Sequence, residues 1–204
     1  MATVALIGAT GHAGSRILNE LAQRGHRVTA IVRNTAKVPP LKNTTARAGD
    51  VHDLEGLVAL IAGHDVVVSS VHFAASDPKI LVAAVRKARV PRYLVVGGAG
   101  SLKTPAGGLL VDSGHVPLPY VPESRAGVEF LEMLRGISDF DWSFLSPSAE
   151  FVPGQRTGRF RLGEDTMLTD ERGRSWISYE DYAVALVDEI EGNAHPRRRF
   201  TVGY

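Results

Sequence analysis

Three glycines at a regular spacing, Gly8, Gly11 and Gly14, directly follow the apolar run from Thr3 to Ile7. The run predicts a buried strand, and the turn then leads into a helix that begins near His12. Gly8 would permit a tight exit from the strand, Gly11 would let the backbone approach a diphosphate, and Gly14 would let the helix pack close to the sheet. A diphosphate would then rest on free N–H groups at a helix N-terminus, where the helix dipole favours negative charge.

The alternative interpretation of this spacing is a strand-to-helix turn that binds nothing. The surrounding strand and helix patterns favour the nucleotide site, because both stand where a dinucleotide-binding unit needs them. We therefore predict that the whole turn contacts a dinucleotide. Its residues are Gly8, Ala9, Thr10, Gly11, His12, Ala13 and Gly14.

Arg33 and Asn34 follow the second predicted strand, Arg27 to Val32. At this position a dinucleotide-binding unit meets the adenosine ribose. An acidic residue there would bind the 2′-hydroxyl, whereas arginine suits a 2′-phosphate through charge-assisted hydrogen bonds. No acidic residue stands at this strand end, so the sequence predicts NADPH, with NADH as the alternative. Arg33 could also be a surface residue that caps a loop.

Further cofactor contacts are predicted at the ends of the third, fourth and fifth strands, since ligands bind at the carboxyl ends of parallel strands. Asp50 could accept a hydrogen bond from an adenine amino group, or it could be a plain turn residue. The glycines after the fifth strand would let the backbone pass close to a flat ring. The other residues predicted here are Val51, Ser69, Ser70, Val71, Gly97, Gly98 and Ala99.

Three residues are candidates for proton transfer or hydrogen bonding to a substrate. The imidazole of His72 can give or take a proton near neutral pH. Ser101 could hydrogen-bond a carbonyl or merely cap a turn. Tyr120 stands four residues before Ser124 rather than before a lysine, so no tyrosinate activated by a neighbouring ammonium is available at that spacing. No grouping of His, Asp and Glu has metal-ligand spacing, so no metal is expected.

Composition limits the class of protein. The chain has 204 residues, of which 44% are hydrophobic and 22% charged, and its net charge is +1. That charge gives no general reason to expect nucleic acid or an anionic membrane as a partner. Cysteine is absent, which excludes disulfides and thiolate catalysis. No apolar run approaches membrane-spanning length, and with no leader pattern a cytoplasmic location is expected by default.

Short β-branched runs alternate with helical stretches through the first half, and they predict a mostly parallel sheet with helices on both faces. We therefore expect one doubly wound α/β domain over residues 1–204. Residues 102–177 should supply the substrate-side loops, with a short strand or hairpin from about Met167 to Ile177. The predicted helices span His12–Arg24, Asp53–Ala62, Asp77–Ala88, Glu123–Leu134 and a last stretch from Ser178 to Glu191.

The chain resembles the atypical short-chain dehydrogenase/reductases, and most of all the small NADH-flavin reductase branch related to NmrA-like proteins and biliverdin reductase B. The resemblance covers essentially the whole chain and implies a Rossmann fold, a nicotinamide cofactor and reduction of a flavin or quinone-like acceptor. The segments that carry it are the glycine turn, Val32–Asn34, Gly49–Asp50, Val95–Leu102, Asp141–Phe151, Pro153–Gly158, Trp176–Ala183 and Arg199–Tyr204.

The serine–tyrosine–lysine set of the wider superfamily is not matched, since its serine position falls on Gly97 or Gly98. The departure is compatible with direct hydride transfer from nicotinamide C4 to N5 of a flavin, with FMN or FAD as a substrate rather than a bound cofactor. A planar slot above the nicotinamide would then hold the acceptor. Its predicted walls are His72, Phe73, Ser101, Pro147, Ser148 and Phe151, with His115 also facing the substrate.

Two other functions remain open at this point. One is an NmrA-like sensor that binds the dinucleotide without turnover. The other is a pathway-specific reductase or epimerase that uses His72, His115 or Tyr120 as an acid. Besides a small-molecule acceptor no partner is predicted, and the chain is expected to be a monomer or a homodimer.

Overall fold

A parallel sheet forms the centre of the computed structural model, which describes residues 1–204. Its eight strands run in the order β3-β2-β1-β4-β5-β6-β10-β8, and only the edge strand β8 is antiparallel to its neighbour. A separate parallel pair is formed by β7 and β9. The strands are β1 Thr3–Ile7, β2 Arg27–Val32, β3 Thr44–Ala48, β4 Val66–Ser69, β5 Arg92–Val96, β6 Asp141–Pro147, β7 Glu150–Val152, β8 Arg161–Gly163, β9 Trp176–Ser178 and β10 Arg198–Gly203.

Helices cover both faces of the sheet. One face packs against α1 and α5, and the opposite face packs against α2, α3 and α4, so each face has its own apolar core. The helices are α1 His12–Gln23, α2 Leu54–Ile61, α3 Pro78–Lys87, α4 Val121–Arg135 and α5 Tyr179–Gly192. The predicted doubly wound α/β fold is therefore confirmed. None of these helices is both long enough and apolar enough to cross a membrane.

The strand order reverses between β1 and β4, which are neighbours in the sheet although two strands separate them in sequence. A crevice opens outside the carboxyl ends of the strands at such a switch point, and ligands of doubly wound folds bind there. The glycine turn follows β1 and the His72 loop follows β4. The topology thus brings the two most informative sequence features to the same place.

Of the two alternatives predicted over Met167–Ile177, a short strand or a hairpin, the structure contains a short strand, β9, at the end of the segment and no hairpin. A turn does form, with the Gly173 amide donating to the Asp170 carbonyl, but β9 pairs in parallel with β7 and not with the segment before the turn. The edge strand β8 was not predicted. Three-residue strands are too short to show a period, so their partners are set by tertiary contacts.

The long segments of the second half carry more structure than the sequence indicates. Between residues 102 and 121 there are two single 3₁₀ turns, Leu110–Asp112 and Leu118–Tyr120. Arg199, in a basic run that looks solvated in the sequence, is buried and forms an ion pair with Asp165. The pairing neutralises the buried guanidinium, which would otherwise be costly to remove from water.

A buried ion pair ties the start of β5 to the end of α5. Arg92 contacts the Glu189 carboxylate at 2.9 Å, and it also donates to the backbone carbonyls of Glu189 and Ile190 in the last helical turn. The same carboxylate accepts from the Ser143 hydroxyl and from the His195 amide. A cation at a helix C-terminus is favoured by the dipole and satisfies carbonyls that the helix leaves free.

Replacing Arg92 with methionine should lower the free energy of unfolding by roughly 3 kcal/mol, because it leaves a buried carboxylate without its cationic partner and helix-end carbonyls without their donor. Urea denaturation would measure the loss. Arg86→Met is the matched control, since Arg86 forms an exposed ion pair with Asp139, and its effect should be much smaller. Equal effects of the two variants would contradict a structural role for the buried pair.

Candidate functional site

Two of the three glycines are fixed by backbone packing. Gly8 has φ +84°, and a Cβ there would lie 2.1 Å from the Ser70 carbonyl oxygen. A Cβ on Gly14 would lie 2.1 Å from the Gly8 carbonyl oxygen. Any side chain at either position would push apart β1, α1 and the segment that follows β4.

Gly11 is different, because the protein itself leaves room at this position. A Cβ on Gly11 would come no closer than 3.5 Å to a protein atom, and its backbone is extended with φ −72° and ψ 174°. Gly11 faces both cavities described below. Its missing side chain therefore keeps space free for a ligand rather than for a neighbouring element.

The N-terminus of α1 lacks a side-chain cap. Its first intrahelical bond runs from the Ser15 amide to the Gly11 carbonyl, so the preceding amides of the first turn have no partner within the helix. By contrast α2, α3 and α5 are each capped by a side chain, from Asp53, Asp77 and Ser178 respectively. Free amides without a nearby acidic residue fit a bound diphosphate.

The first cavity has a volume of about 400 Å³ and lies beyond the ends of β1, β2 and β3. The exposed guanidinium of Arg33 lines it and forms no ion pair in the structure. Asp50 and Val51 line it too, although the Asp50 carboxylate also accepts from the His52 amide at 2.9 Å, as a turn residue would. The cavity therefore combines a free cation with polar backbone, which suits a phosphorylated ribose and its base.

Asn34 is not part of this cavity. Its side-chain oxygen accepts from the Ala36 amide at 3.0 Å and caps the 3₁₀ turn Thr35–Lys37. The predicted contact between Asn34 and the cofactor is therefore not proposed further.

The second cavity, of about 490 Å³, begins on the other side of Gly11 and extends over the ends of β4, β5 and β6. It shares Gly11, Ser70, Val71 and His72 with the first cavity, so one extended ligand can occupy both. Most predicted nicotinamide and acceptor contacts line it. They are His12, Ala13, Gly97, Gly98, Ala99, Phe73, His115, Tyr120, Pro147, Ser148 and Phe151.

Ser101 lies outside this cavity. It ends a 3₁₀ turn, its side chain is buried, and its hydroxyl has no hydrogen-bond partner. Successive residues of a 3₁₀ turn rotate by about 120°, so the turn that brings Gly100 to the cavity directs Ser101 away from it. The predicted catalytic role of Ser101 is therefore withdrawn.

Of the remaining predicted contacts, Ser69 and Ala9 lie outside both cavities, and the hydroxyl of the lining residue Ser148 is engaged by the core. The Ser69 hydroxyl hydrogen-bonds the Tyr93 hydroxyl at 2.7 Å inside the sheet, and Ser69 lines neither cavity. Ala9 is 1% exposed and lines neither cavity. The Ser148 hydroxyl donates to the Val202 carbonyl at 3.0 Å, so it is not free for a substrate.

Phe73 is an anchored wall of the second cavity. Its ring stacks on Phe144 with centroids 6.1 Å apart and meets Phe130 edge-on at 6.0 Å. A Cβ on Gly127 of α4 would come within 2.9 Å of this ring. The ring can therefore pack against α4 only because residue 127 has no side chain. Gly97 has a similar packing role, because a Cβ there would lie 2.4 Å from the Phe144 ring.

His72 stands between the two cavities and is paired with a carboxylate that the sequence analysis missed. Its Nδ1 lies 3.3 Å from Glu123 Oε1. The Glu123 carboxylate also accepts from the amides of Phe73 and Ala74, each at 2.8 Å. Held from three sides, the carboxylate can orient the imidazole and leave its other nitrogen for a ligand.

Tyr179 is the second residue that was missed. Its ring stacks on His12 with centroids 5.6 Å apart, and Phe151 meets it at 4.5 Å. Burial raises the pKa of the Tyr179 hydroxyl, which keeps it protonated at neutral pH. In the sequence both missed residues look like first-turn residues of a helix, and nothing there indicates that α4 and α5 begin at the cavity.

The arrangement has the parts that a dinucleotide site needs. Free amides stand at the centre, an unpaired arginine lies on one side, and an aromatic cavity with a carboxylate-bound imidazole lies on the other. An anion would bind the amides, while a flat ring would be held against the aromatic walls.

Comparison with known proteins agrees with this geometry. A family model described as NAD(P)H-binding matches residues 8–192. The uncharacterized protein YwnB of Bacillus subtilis (strain 168) is 38% identical, with 98% of this chain and 97% of YwnB covered.

Two solved structures are similar along their whole length. A "putative epimerase" from Bacteroides thetaiotaomicron is 42% identical with a TM-score of 0.94, covering 99% of this chain and 96% of its own. A "putative NADH-flavin reductase" from Streptococcus pneumoniae TIGR4 is 32% identical with a TM-score of 0.83, covering 100% and 99%. Since the family model spans the glycine turn, both cavities and the last helix, the chain belongs to the NAD(P)H-binding family and has the Rossmann fold of the atypical short-chain dehydrogenase/reductases.

Proposed function

We propose that this protein is an NADPH-dependent reductase of a flat conjugated acceptor, such as a flavin or a quinone. The observation that carries the proposal is the junction of the two cavities at Gly11 and Ser70. A dinucleotide whose diphosphate rests at this junction would have its adenosine half in the cavity of Arg33. Its nicotinamide half would enter the aromatic cavity.

The preference for NADPH depends on Arg33. Its guanidinium is exposed in the adenosine-side cavity and is not engaged by a carboxylate. A 2′-phosphate would therefore gain a charge-assisted contact without competition from the protein. NADH would bind the same amides and walls without this contribution.

Bound in the aromatic cavity, a reduced nicotinamide supplies a hydride. The chain's own contribution is then to stack the acceptor in line between aromatic walls, to exclude water, and to supply one proton. His72 is the proposed proton donor, since it stands at the junction and Glu123 orients it through Nδ1. Tyr120 at the cavity mouth and His115 are proposed to contact the acceptor.

The His72–Glu123 pair favours an enzyme over a cofactor sensor, because a sensor has no need for an oriented imidazole beside the nicotinamide position. The name of the Streptococcus pneumoniae relative supports flavin reduction. The name of the Bacteroides relative supports an epimerase as the alternative function. Steady oxidation of NADPH in the presence of riboflavin or a quinone would establish a reductase. Binding of NADPH without turnover would support the sensor.

Gly11→Val should abolish NADPH binding while the protein stays folded. The extended backbone at Gly11 accepts valine, but the added carbons would fill the space at the junction. The thermal shift that NADPH produces in the wild type should disappear. Gly192→Val is the matched control, because a side chain there meets no neighbour within 4 Å; undiminished NADPH affinity of Gly11→Val would refute the site.

Arg33→Ala should raise the KM for NADPH roughly tenfold or more and leave the KM for NADH nearly unchanged, because only NADPH carries the 2′-phosphate. Steady-state kinetics with both cofactors would measure this. Lys37→Ala, on the neighbouring exposed 3₁₀ turn, is the control for lost positive charge. Equal effects on both cofactors would remove Arg33 from the 2′-phosphate.

His72→Gln should lower kcat about 100-fold, the lower range for general acid catalysis, with little change in the KM for NADPH. His52→Gln is the control, since His52 lines the adenosine-side cavity and is far from the acceptor. An unchanged kcat for His72→Gln would mean that solvent supplies the proton.

A further inference from the structure

We infer that the acceptor cavity selects a flat conjugated ring system that carries no negative charge. The inference rests on the proposed function and narrows its substrate class. It separates neutral flavins and quinones from their phosphorylated or sulfonated forms.

The walls of the cavity provide stacking surfaces. Phe73 and Phe151 lie on its lining with Tyr120 and Tyr179, and Pro147 adds a further apolar surface. Aromatic walls favour flat π-systems and do not depend on the acceptor's charge. They therefore account for shape selectivity but leave the charge of the acceptor to other groups.

The permanent charge on the lining is negative. It belongs to Glu123, whose carboxylate is held by the amides of Phe73 and Ala74 and lies beside His72. Its position is fixed, because α4 carries it and the loop after β4 binds it. An anionic substituent that came close to this carboxylate would be repelled, because both groups carry negative charge.

Two arginines that adjoin lining residues of the cavity are already paired. Arg16 lies over the Tyr179 ring at 5.8 Å but contacts Glu180 at 2.9 Å. Arg125, next in sequence to the lining residue Ser124, contacts Asp112 at 3.1 Å. A phosphate would share either guanidinium with a carboxylate that already offsets its charge.

The lining histidines are also engaged. The His12 ring stacks on Tyr179, and His72 Nδ1 is bound to Glu123. His115 Nδ1 lies 3.0 Å from the Ser113 hydroxyl. An acceptor therefore meets stacking surfaces and hydrogen-bonding side chains that the protein already engages, which suits uncharged carbonyl and ring-nitrogen atoms.

The test compares three flavins that share one ring system. Lumiflavin has no tail, riboflavin has a neutral tail and FMN has the same tail with a phosphate. Quenching of flavin fluorescence by the complex of the protein with NADP⁺ gives each dissociation constant. Lumiflavin and riboflavin should bind within about threefold of one another, and FMN should bind at least about tenfold more weakly than riboflavin.

Two results would overturn the inference. FMN binding as tightly as riboflavin would show that charge is not selected. Riboflavin binding as weakly as FMN while lumiflavin binds well would show that tail size, not charge, is selected. Oxidation of NADPH with each flavin is followed separately, so that flavin binding without turnover would count against the reductase and not against charge selection.

A pair of variants identifies the electrostatic origin. His115→Arg adds a fixed cation to an exposed loop on the lining and should reduce the riboflavin-to-FMN preference at least about threefold, an effect that added salt weakens. Leu118→Arg adds the same charge on the same loop at a side chain that is 85% exposed and off the lining, so it should change the preference less. Equal effects of the two variants, or none, would contradict selection inside the cavity.

Discussion

The site depends on three backbone segments that approach one another more closely than any side chain would allow. The segment after β4 passes over Gly8, and α1 is seated against the Gly8 carbonyl through Gly14. This contact sets the first turn of α1 at the switch point of the sheet, where its first amides have no side-chain cap and no partner within the helix. Burial of apolar surface on both faces of the sheet then keeps the three segments in place.

A second constraint acts across the crevice through one carboxylate. Glu123 lies in the first turn of α4 and accepts hydrogen bonds from two amides of the loop after β4, so the two elements that flank the aromatic cavity are joined. The contact between the Phe73 ring and Gly127 of α4 joins the same two elements. Packing between these two elements therefore determines the shape of the cavity. The Glu123 carboxylate that joins them also gives the cavity its charge.

In the proposed function the two cavities would divide the recognition of cofactor and acceptor between different forces. The adenosine side offers a free cation and polar backbone, and the acceptor side offers aromatic surface and a fixed negative charge. A ligand with phosphates at one end and a neutral reactive ring at the other matches this division. Hydride transfer needs little more from a protein than alignment of two rings and exclusion of water.

The sequence by itself determined the five helices, the longer strands of the sheet, the glycine turn and the place of Arg33 at a strand end, because period, turn chemistry and strand-end position are local properties of the chain. The predicted helix starts at Asp53, Asp77 and Ser178 agree with the structure, in which each of these side chains caps its helix, since a cap acts within one helical turn. Only the tertiary structure decided which side chains line the cavities. Ser69 and Ser101, which follow or end strands, point into the core. Glu123 and Tyr179 reach the cavity from helices far along the chain. Contacts between distant segments set the direction of a single side chain in an irregular turn. They also set the partner of a three-residue strand such as β8 or β9. Such contacts produce no periodic pattern in the sequence, so the sequence does not predict them.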